Sequence, residues 1–382
     1  MTMVNCFEAA GLRPASVTWM VGVNVPAVVG VPEIEPFAPS SVRPGGRAPA
    51  ETLKAYGKRP PDNAIDVEED APTIEGCSGE VVLIVMAGGV PCVSTIVPWE
   101  AWYFGRGAKP GSAFNYTTMF FFGLSEFGGC FLPMWDRMNT NKLVAEMYPN
   151  DADGGAFRAN FPGLIAKSSY KSLDGGAYAD GTSDYTAMIG KFKDGGAQLF
   201  SNVPLPPDFN IFWKQAAQQG FKPKLATVAK VLLFPADVTA LGPLVNNIAT
   251  DCWWSPYHPY KSSLTGETAK QLADGFEKAS GQQWLQSLGS IHSLFEIAQK
   301  ALTSVSDPHN HTAVAAALKS LKYTGISGTL DWTNGPVPGV AIQQPVGVQW
   351  KKGTKYPWSM YVVDNTLNKD VPLNGTLEPT NA

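Results

Sequence analysis

Apolar residues alternate between strand-like and helix-like spacing through residues 141–250. Leu143–Tyr148 is a short apolar run typical of a buried strand. A helix with apolar residues at roughly every third or fourth position is predicted to begin near Gly154. Either Asp151 or Asp153 is placed to cap that helix. The stretch therefore opens as a strand followed directly by a helix.

Two further units repeat this order. Two further strands are predicted, at residues 198–203 and 225–229. Asp184 is predicted to cap a helix before the first of these strands, and Pro206 to begin a helix between the two. Strands alternating with helices predict an α/β fold with a parallel sheet covered by helices on both faces. Ligands bind such sheets beyond the carboxyl ends of the strands. The loops that follow the strands should therefore face one space: residues 148–154, 203–208 and 229–235.

Predicted elements also lie on both sides of this stretch. Before it come strands at residues 81–86, 90–95 and 115–122, an aromatic-rich loop at 99–104 and a helix at 124–138. After it come a strand at residues 251–255, helices at 266–280, 288–304 and 313–321, and a last strand at 361–364. The turn sequence NGPVPG is predicted to join residues 329–332 and 347–350 as a strand pair. The chain is thus expected to cross between two α/β regions more than once.

Composition narrows the functional classes. The 382 residues are 44% hydrophobic and 16% charged, and the formal net charge is −4. No basic stripe is present, which argues against nucleic-acid binding. The five cysteines match no zinc or redox motif and allow one disulfide or none; they are Cys6, Cys77, Cys92, Cys130 and Cys252.

The first part of the chain differs from the rest. Residues 1–79 are expected to be loosely structured, because ten of the 31 prolines fall within residues 1–75 and an acidic run follows at 66–70. The apolar run Val17–Val31 is too short to cross a bilayer. It is also a poor export signal, since Glu8 precedes it.

Several unusual sequences carry a resemblance to a known family. They include GVPCVST, PWEAWYFGRG, YPNDADGGAFR, VPLPPDFNIFWKQAAQQGFKPK and WWSPYHPYKSSLTG. From about Gly89 to Pro379, the chain resembles the periplasmic solute-binding proteins of branched-chain-amino-acid-type ABC transporters. It is most similar to a branch that binds aromatic and other organic acids. The resemblance implies a type I periplasmic-binding fold, in which ligand closes a cleft between two α/β lobes joined by three hinge strands.

The resemblance also implies a domain division. Lobe one would comprise residues 80–122 and 253–329, lobe two would comprise residues 123–252 and 330–364, and residues 365–382 would form a tail. Family members open with an export signal, a strand, a ligand loop rich in Gly and Ser, and a long helix. The residues before Val81 show none of this pattern, so the first lobe is expected to be incomplete.

Candidate ligand contacts in lobe one follow the strand at residues 90–95. The resemblance implies that Ser94 and Thr95 donate hydrogen bonds to a ligand carboxylate; ordinary turn polarity is the alternative. Trp99 could stack on a flat ligand. A small core under the loop is the other interpretation for Trp99, and the favoured one for the other aromatic residues: Trp102, Tyr103 and Phe104.

Lobe two offers its own candidates. The resemblance places a ligand-contacting residue in the loop that contains Asn150 and Asp151, with helix capping as the alternative for Asp151. Pro204 is a candidate because it stands at the next strand end. Lys230 interrupts an apolar run and needs an anionic partner, supplied by a ligand or by a nearby carboxylate. Trp253 and Trp254 are expected on a strand that returns to lobe one, so one of them could line the cleft while the other packs.

The expected function is solute capture without chemistry. No catalytic, nucleotide-binding or metal-binding spacing is present, so neither an enzyme nor a cofactor is predicted. The expected protein is a monomeric periplasmic receptor that delivers an aromatic or other organic acid, or an amino acid, to an ABC permease. An amino acid requires a carboxylate facing its ammonium group, for which Asp151 is the best candidate. A cytoplasmic ligand sensor and a degenerate truncated relic are the alternatives.

Overall fold

The computed structural model describes residues 89–380, together with an antiparallel pair of two-residue strands, Val17–Thr18 and Lys54–Ala55. The predictions for residues 1–79 and for a strand at 81–86 otherwise lie outside the described residues.

The elements of residues 89–380 are labelled in chain order. The strands are β1 (Cys92–Thr95), β2 (Thr117–Phe120), β3 (Leu143–Pro149), β4 (Lys171–Tyr178), β5 (Leu199–Asn202), β6 (Leu225–Val228), β7 (Ala249–Cys252), β8 (Lys322–Gly325), β9 (Gly328–Asp331), β10 (Val340–Ala341), β11 (Val346–Lys352) and β12 (Trp358–Asp364). The helices are α1 (Trp99–Phe104), α2 (Leu124–Asp136), α3 (Ala152–Ala166), α4 (Thr186–Asp194), α5 (Pro206–Gln218), α6 (Pro235–Leu241), α7 (Ala269–Ser280), α8 (Ser287–Thr303) and α9 (His311–Lys319). Short 3₁₀ turns occur at Val231–Leu233, Gly242–Val245 and Trp332–Asn334.

A seven-stranded sheet organises the larger half. Its strand order is β12-β11-β7-β6-β5-β3-β4. The strands from β7 to β4 run parallel, whereas β11 is antiparallel to both β7 and β12. Helices connect the parallel strands, as right-handed crossovers in such sheets require. The α/β class predicted from the alternating pattern is therefore confirmed.

A three-stranded parallel sheet organises the smaller half. Its order is β10-β2-β1. Val93 and Phe120 from this sheet share an apolar cluster with Leu294 of α8 and Val314 of α9. The antiparallel hairpin of β8 and β9 lies beside them, and Leu330 of β9 joins the same cluster. This half thus has a core of its own.

The chain passes between the two halves through three crossing segments, residues 121–123, 253–256 and 342–345. We infer that the halves are the two predicted lobes, with the smaller sheet in lobe one and the larger sheet in lobe two. The crossing segments contact one another. The ring of Phe121 meets that of Trp253 at a centroid distance of 4.9 Å. The side-chain amide of Gln343 donates to the carbonyl oxygen of Trp253 at 3.0 Å.

One predicted strand arrangement is wrong. Residues 329–332 do not pair with residues 347–350; β9 pairs with β8 across a tight turn, and β11 pairs with β7 and β12. The NGPVPG turn instead leads into β10, which joins the lobe-one sheet beside β2. The return to lobe two therefore follows Ala341 rather than residue 330.

Three local predictions also need correction. The strand expected at residues 251–255 ends at Cys252, because the apolar sequence continues past the last ladder pair into a crossing segment. The aromatic loop at 99–104 is the helix α1, whose only clear start signals are Pro98 and Glu100. Strand β4 has no counterpart in the prediction, because its sequence contains Asp and two Gly residues and its exposed edge lacks an apolar run.

Candidate functional site

Lobe one presents its candidate residues at the end of β1. Ser94 and Thr95 are both buried. The Thr95 hydroxyl donates to the carbonyl oxygen of Phe120 at 2.8 Å, so its proton is engaged within the sheet. Ile96 follows with a φ of 63°, a left-handed conformation that is rare for a β-branched residue. Such outliers cluster at ligand-binding turns.

The aromatic segment after this turn divides into two parts. Trp99 is half-buried, and its backbone N–H donates to the carbonyl oxygen of Phe122 at 3.2 Å. Trp102 and Tyr103 are buried, and the Tyr103 hydroxyl donates to the carbonyl oxygen of Ser112 at 2.6 Å. Both side chains belong to the larger apolar cluster and not to a separate small core under the loop. Phe104, for which the same small core was favoured, is 45% exposed.

Glu100 was not singled out from the sequence, although it directly follows Trp99. Its carboxylate reaches across the first crossing segment and accepts a hydrogen bond from the backbone N–H of Leu124 at 2.9 Å. Glu126 accepts from the backbone N–H of Gly123 at 2.8 Å, so two carboxylates cap the start of α2. Burial raises the pKa of both carboxyl groups. A lobe-one side chain thus supports the first helix of lobe two.

A charged cluster lies at the carboxyl edge of the lobe-two sheet. Asp151 caps α3 by accepting from the backbone N–H of Gly154 at 2.6 Å. The Lys230 ammonium lies 2.9 Å from Oδ2 of Asp153 and 3.4 Å from Oδ2 of Asp151. The three side chains are largely buried, with exposed fractions of 13%, 7% and 6% respectively. Two nearby carboxylates therefore act as the anionic partner that the sequence required for Lys230.

The backbone at Lys230 is also unusual. Its φ is 69°, and it stands just beyond β6, as Ile96 stands just beyond β1. Holding a residue that has a side chain at positive φ costs roughly 1–3 kcal/mol, so the conformation persists only where the surroundings enforce it. In each lobe, a residue with positive φ thus lies just beyond the carboxyl end of a strand.

The other lobe-two candidates border this cluster. Asn150 is exposed, and its backbone N–H donates to the carbonyl oxygen of Tyr178 at 2.7 Å. Pro204 is buried at the start of the loop before α5. The same loop leads to Asp208, whose Oδ1 accepts from the backbone N–H of Gly181 at 2.9 Å. Burial raises the pKa of Asp208, and the charge of Asp180 adds to that shift.

Three further polar residues at this edge were not anticipated. Tyr178 ends β4, Asn202 ends β5, and Tyr185 stands at the start of α4 with its ring centroid 5.4 Å from that of Tyr178. Tyr178 could not be placed at a strand end from the sequence, because β4 itself was not predicted. A polar residue at the end of an apolar strand was the one available signal for Asn202.

Trp253 and Trp254 both lie beyond β7 and both are buried. Trp253 packs among the crossing segments, and Gln286 accepts from its backbone N–H at 3.0 Å. Trp254 packs against Trp284, with a centroid distance of 6.2 Å. A ligand contact by either residue stays a prediction.

Two features are absent from residues 89–380, a membrane-spanning helix and a metal-binding group. None of their helices has the length and apolar character needed to span a membrane. None of their His, Cys, Asp and Glu side chains form a group of three or more suited to a metal ion.

Comparison with known proteins identifies the family. A search of curated protein sequences finds no match. A leucine binding protein, LivK, from Thermotoga maritima is 15% identical, with a TM-score of 0.59 over 74% of this chain and 75% of its own. An amino acid ABC transporter substrate-binding protein from Pseudomonas fluorescens is 11% identical, with a TM-score of 0.58 over 75% of both chains.

The branched-chain amino acid transporter substrate binding protein LivJ from Streptococcus pneumoniae, solved with isoleucine, is 13% identical. Its TM-score is 0.54 over 72% of this chain and 73% of its own. These likenesses show a shared fold. The family model described as periplasmic binding protein matches residues 89–355, well over half of the chain. The chain therefore belongs to the periplasmic binding protein family, with the type I fold that its sequence resemblance predicted.

Proposed function

We propose that this protein captures a small carboxylate-bearing solute, with an amino acid favoured, and delivers it to an ABC permease from the periplasm. One observation carries the proposal: each lobe has a strained turn at a strand end, at Ile96 and at Lys230, with polar groups gathered around it. Ligands of α/β folds bind at such strand ends. Contacts to both lobes would favour the closed form, which is how capture is coupled to a change of shape.

The lobe-one end suits a carboxylate. Ser94 is the hydroxyl donor assigned to it, because the Thr95 hydroxyl already donates to Phe120. Hydrogen bonds from neutral donors to an ionised carboxylate are among the stronger ones. Thr95 then serves mainly to hold β1 against β2.

The lobe-two end suits a cation better than a second anion. Lys230 is matched by both Asp151 and Asp153. Burial raises the pKa of Asp180, and the charge of Asp151 adds to that rise while the charge of Lys230 opposes it. Carboxylates thus outnumber the lysine at this edge, so an ammonium group would be stabilised there. The similar structures include one solved with isoleucine, which carries such a group.

An aromatic acid is the second candidate. Trp99 favours it, because its ring is half-buried just beyond Ser94 and Thr95. An aromatic pair contributes about 0.5–1.5 kcal/mol beyond the area it buries. The acidic excess around Lys230 weighs against this candidate, since a neutral ring does not require it.

Tryptophan fluorescence titration of the purified protein tests the proposal. Branched-chain and polar amino acids, benzoate-like acids and dicarboxylates are the probes, each followed by thermal melting. Binding to the folded state alone raises stability by about 2.7 kcal/mol at a hundredfold excess over Kd. We expect saturable binding of amino acids and none of dicarboxylates. A flat response to every probe from a protein that melts cooperatively would refute the proposal.

The cellular location of the protein is tested by a separate experiment. The family resemblance supports a periplasmic location, whereas the sensor alternative requires a cytoplasmic one. Fractionation of cells that express the full chain decides between them. A purely cytoplasmic pool that binds amino acids would favour the sensor.

A further inference from the structure

The segment that contains α7 is fixed to lobe one. It follows the second crossing segment in the chain and precedes α8. The Ser262 hydroxyl lies 2.6 Å from Nε2 of His292 on α8. A Cβ added to Gly328, in the turn between β8 and β9, would lie 2.9 Å from the ring of Tyr260, so that ring packs against the hairpin. The backbone N–H of Ala269, the first residue of α7, donates to the carbonyl oxygen of Tyr260 at 3.1 Å.

The same segment contacts lobe two at three places outside the crossing segments. The contacts are a hydrogen bond from the Tyr260 hydroxyl to Oδ1 of Asn368 at 2.9 Å, one from the Gln283 side-chain amide to the carbonyl oxygen of Trp358 at 3.0 Å, and an ion pair between Glu277 and Lys355. The lobe-two partners lie in the turn before β12, at the first residue of β12 and in the segment after it. We call these three contacts the α7 brace.

The strand order of the seven-stranded sheet separates the α7 brace from the candidate site. β12 forms one edge of that sheet, and β11 and β7 follow it in the order. The second crossing segment leaves from β7 and the third enters β11. The candidate residues Asp151, Pro204 and Lys230 follow β3, β5 and β6, which lie beyond β7 on the other side. The crossing segments therefore stand between the site and the brace.

This arrangement couples the brace to closure of the cleft. Lobes that turn about a hinge approach each other on one side of it and separate on the other. Closure over the candidate site would therefore pull the brace contacts apart. Contacts that exist only in the open form stabilise that form, and they weaken the apparent affinity for any ligand that prefers the closed one.

We propose that the α7 brace is an autoinhibitory contact, which holds the cleft open and lowers the affinity for the captured solute. This inference rests on the proposed function and adds a control of closure to it. The brace is weak enough for a ligand to overcome. The Lys355 side chain is 67% exposed, and exposed ion pairs and single hydrogen bonds each contribute little net stability.

Removal of the brace tests the proposal. Tyr260→Phe, Gln283→Ala and Lys355→Ala each delete one contact, and a triple variant of the full chain combines them. Isothermal titration with isoleucine, leucine and benzoate gives Kd for each protein. We expect each single variant to bind about two- to threefold more tightly than the parent. The triple variant should bind about tenfold more tightly, which corresponds to 1.4 kcal/mol.

Lys270→Ala is the matched control. It removes an exposed ion pair from the same helix, but its partner Asp274 lies four residues away within α7. We expect this variant to keep the Kd of the parent. Thermal melting of every variant shows that it folds cooperatively.

Small-angle scattering tests the brace without a ligand. An unliganded chain that lacks the brace should close more often, so we expect the triple variant to have a smaller radius of gyration than the parent. Lys270→Ala should leave the radius of gyration unchanged.

The outcomes separate the two proposals. If the triple variant melts cooperatively but binds no more tightly than the parent, the brace is refuted while solute capture stands. If Lys270→Ala tightens binding equally, the effect does not come from contacts between the lobes and the brace is again refuted. If no probe binds the parent, the proposed function fails, and scattering alone decides: an unchanged radius of gyration in the triple variant refutes the brace.

Discussion

At the scale of single residues, the buried charge of Lys230 is paired with carboxylates that lie far from it in the sequence. The sequence placed it in an apolar run where it required an anion. The structure supplies Asp153 and Asp151, and the second of these also caps α3. One aspartate therefore links a helix start to the ion pair. Removing the lysine would leave two buried carboxylates close to each other.

Lys230→Ala should lower the free energy of unfolding by about 3–5 kcal/mol, because breaking a buried pair leaves uncompensated charge. Lys270→Ala is the control. It removes an exposed pair with Asp274 at 2.6 Å, which should cost less than about 1 kcal/mol. Urea denaturation of both variants gives the comparison, and equal losses would show that the Lys230 cluster is effectively solvated.

Glu146 is a second buried charge, in the middle of β3. The Ser172 hydroxyl donates to its Oε2, and the Tyr148 hydroxyl also donates to this carboxyl group. Burial raises the pKa of Glu146 from 4.5 to about 7, and the bond from Ser172 opposes that rise. The folded chain therefore keeps a proton on Glu146 at pH values where the unfolded chain has lost it.

The free energy of unfolding should consequently fall as pH rises from about 5 to 8, because the folded state binds more protons in that interval. The contribution is present below pH 4.5 and is lost as the pH passes the folded pKa of about 7. Glu146→Gln should remove a fall on the order of 3 kcal/mol. Urea denaturation at several pH values measures it; parallel curves for the variant and the parent would contradict the assignment.

At the scale of elements, α3 holds two adjacent glycines in opposite environments. A Cβ added to Gly154 would lie 2.0 Å from the carbonyl oxygen of Pro149, whereas one added to Gly155 would meet nothing within 4 Å. Gly154 thus allows the first turn of α3 to lie against the end of β3. That contact places Asp151 and Asp153 beside Lys230.

Gly154→Ala and Gly155→Ala should therefore change stability in opposite directions. The first forces the helix away from Pro149 and should cost about 1–3 kcal/mol, the usual range for overpacking. The second should gain roughly 0.5–1 kcal/mol, because alanine is the better helix former. Urea midpoints of the two variants test this, and changes of the same sign would refute the contact.

At the scale of the whole molecule, the crossing segments are joined by buried side-chain amides. Gln343 donates to Trp253 at 3.0 Å and accepts from the Ser290 hydroxyl at 3.3 Å. Gln286 accepts from Trp253 and donates to the carbonyl oxygen of Asp251 at 3.2 Å. These bonds connect the second crossing segment to the third and to α8. We therefore expect them to limit how the lobes move relative to each other.

Gln343→Leu should cost about 1–3 kcal/mol, because it leaves a buried carbonyl and a buried hydroxyl unpaired. It should also broaden the range of lobe separations seen by small-angle scattering. Gln349→Leu is the matched control: this buried glutamine donates to the carbonyl oxygens of Asn247 and Glu378, both at 2.7 Å, within lobe two. The control should lose stability without changing the scattering profile, and indistinguishable profiles would contradict the role of Gln343.

Features that depend on residues close together along the chain could be predicted from the amino-acid sequence alone. Apolar spacing predicted the alternation of strands and helices, and Asp151 and Pro206 marked helix starts. These features depend on residues within a turn or two of each other, so a linear pattern contains them. The motif resemblance then supplied the family.

Contacts between residues far apart in the chain became known only from the folded structure. The ion pair of Lys230 with Asp153 spans 77 positions, and no local pattern selects that carboxylate among the others. The pairing of β9 with β8 and the addition of β4 beside β3 likewise depend on strands from other parts of the chain. Lys230 and Asp151 of this site could therefore be identified from the sequence. Its tyrosines, Asn202 and Asp208 came together only because parallel strands bring their carboxyl ends to one edge.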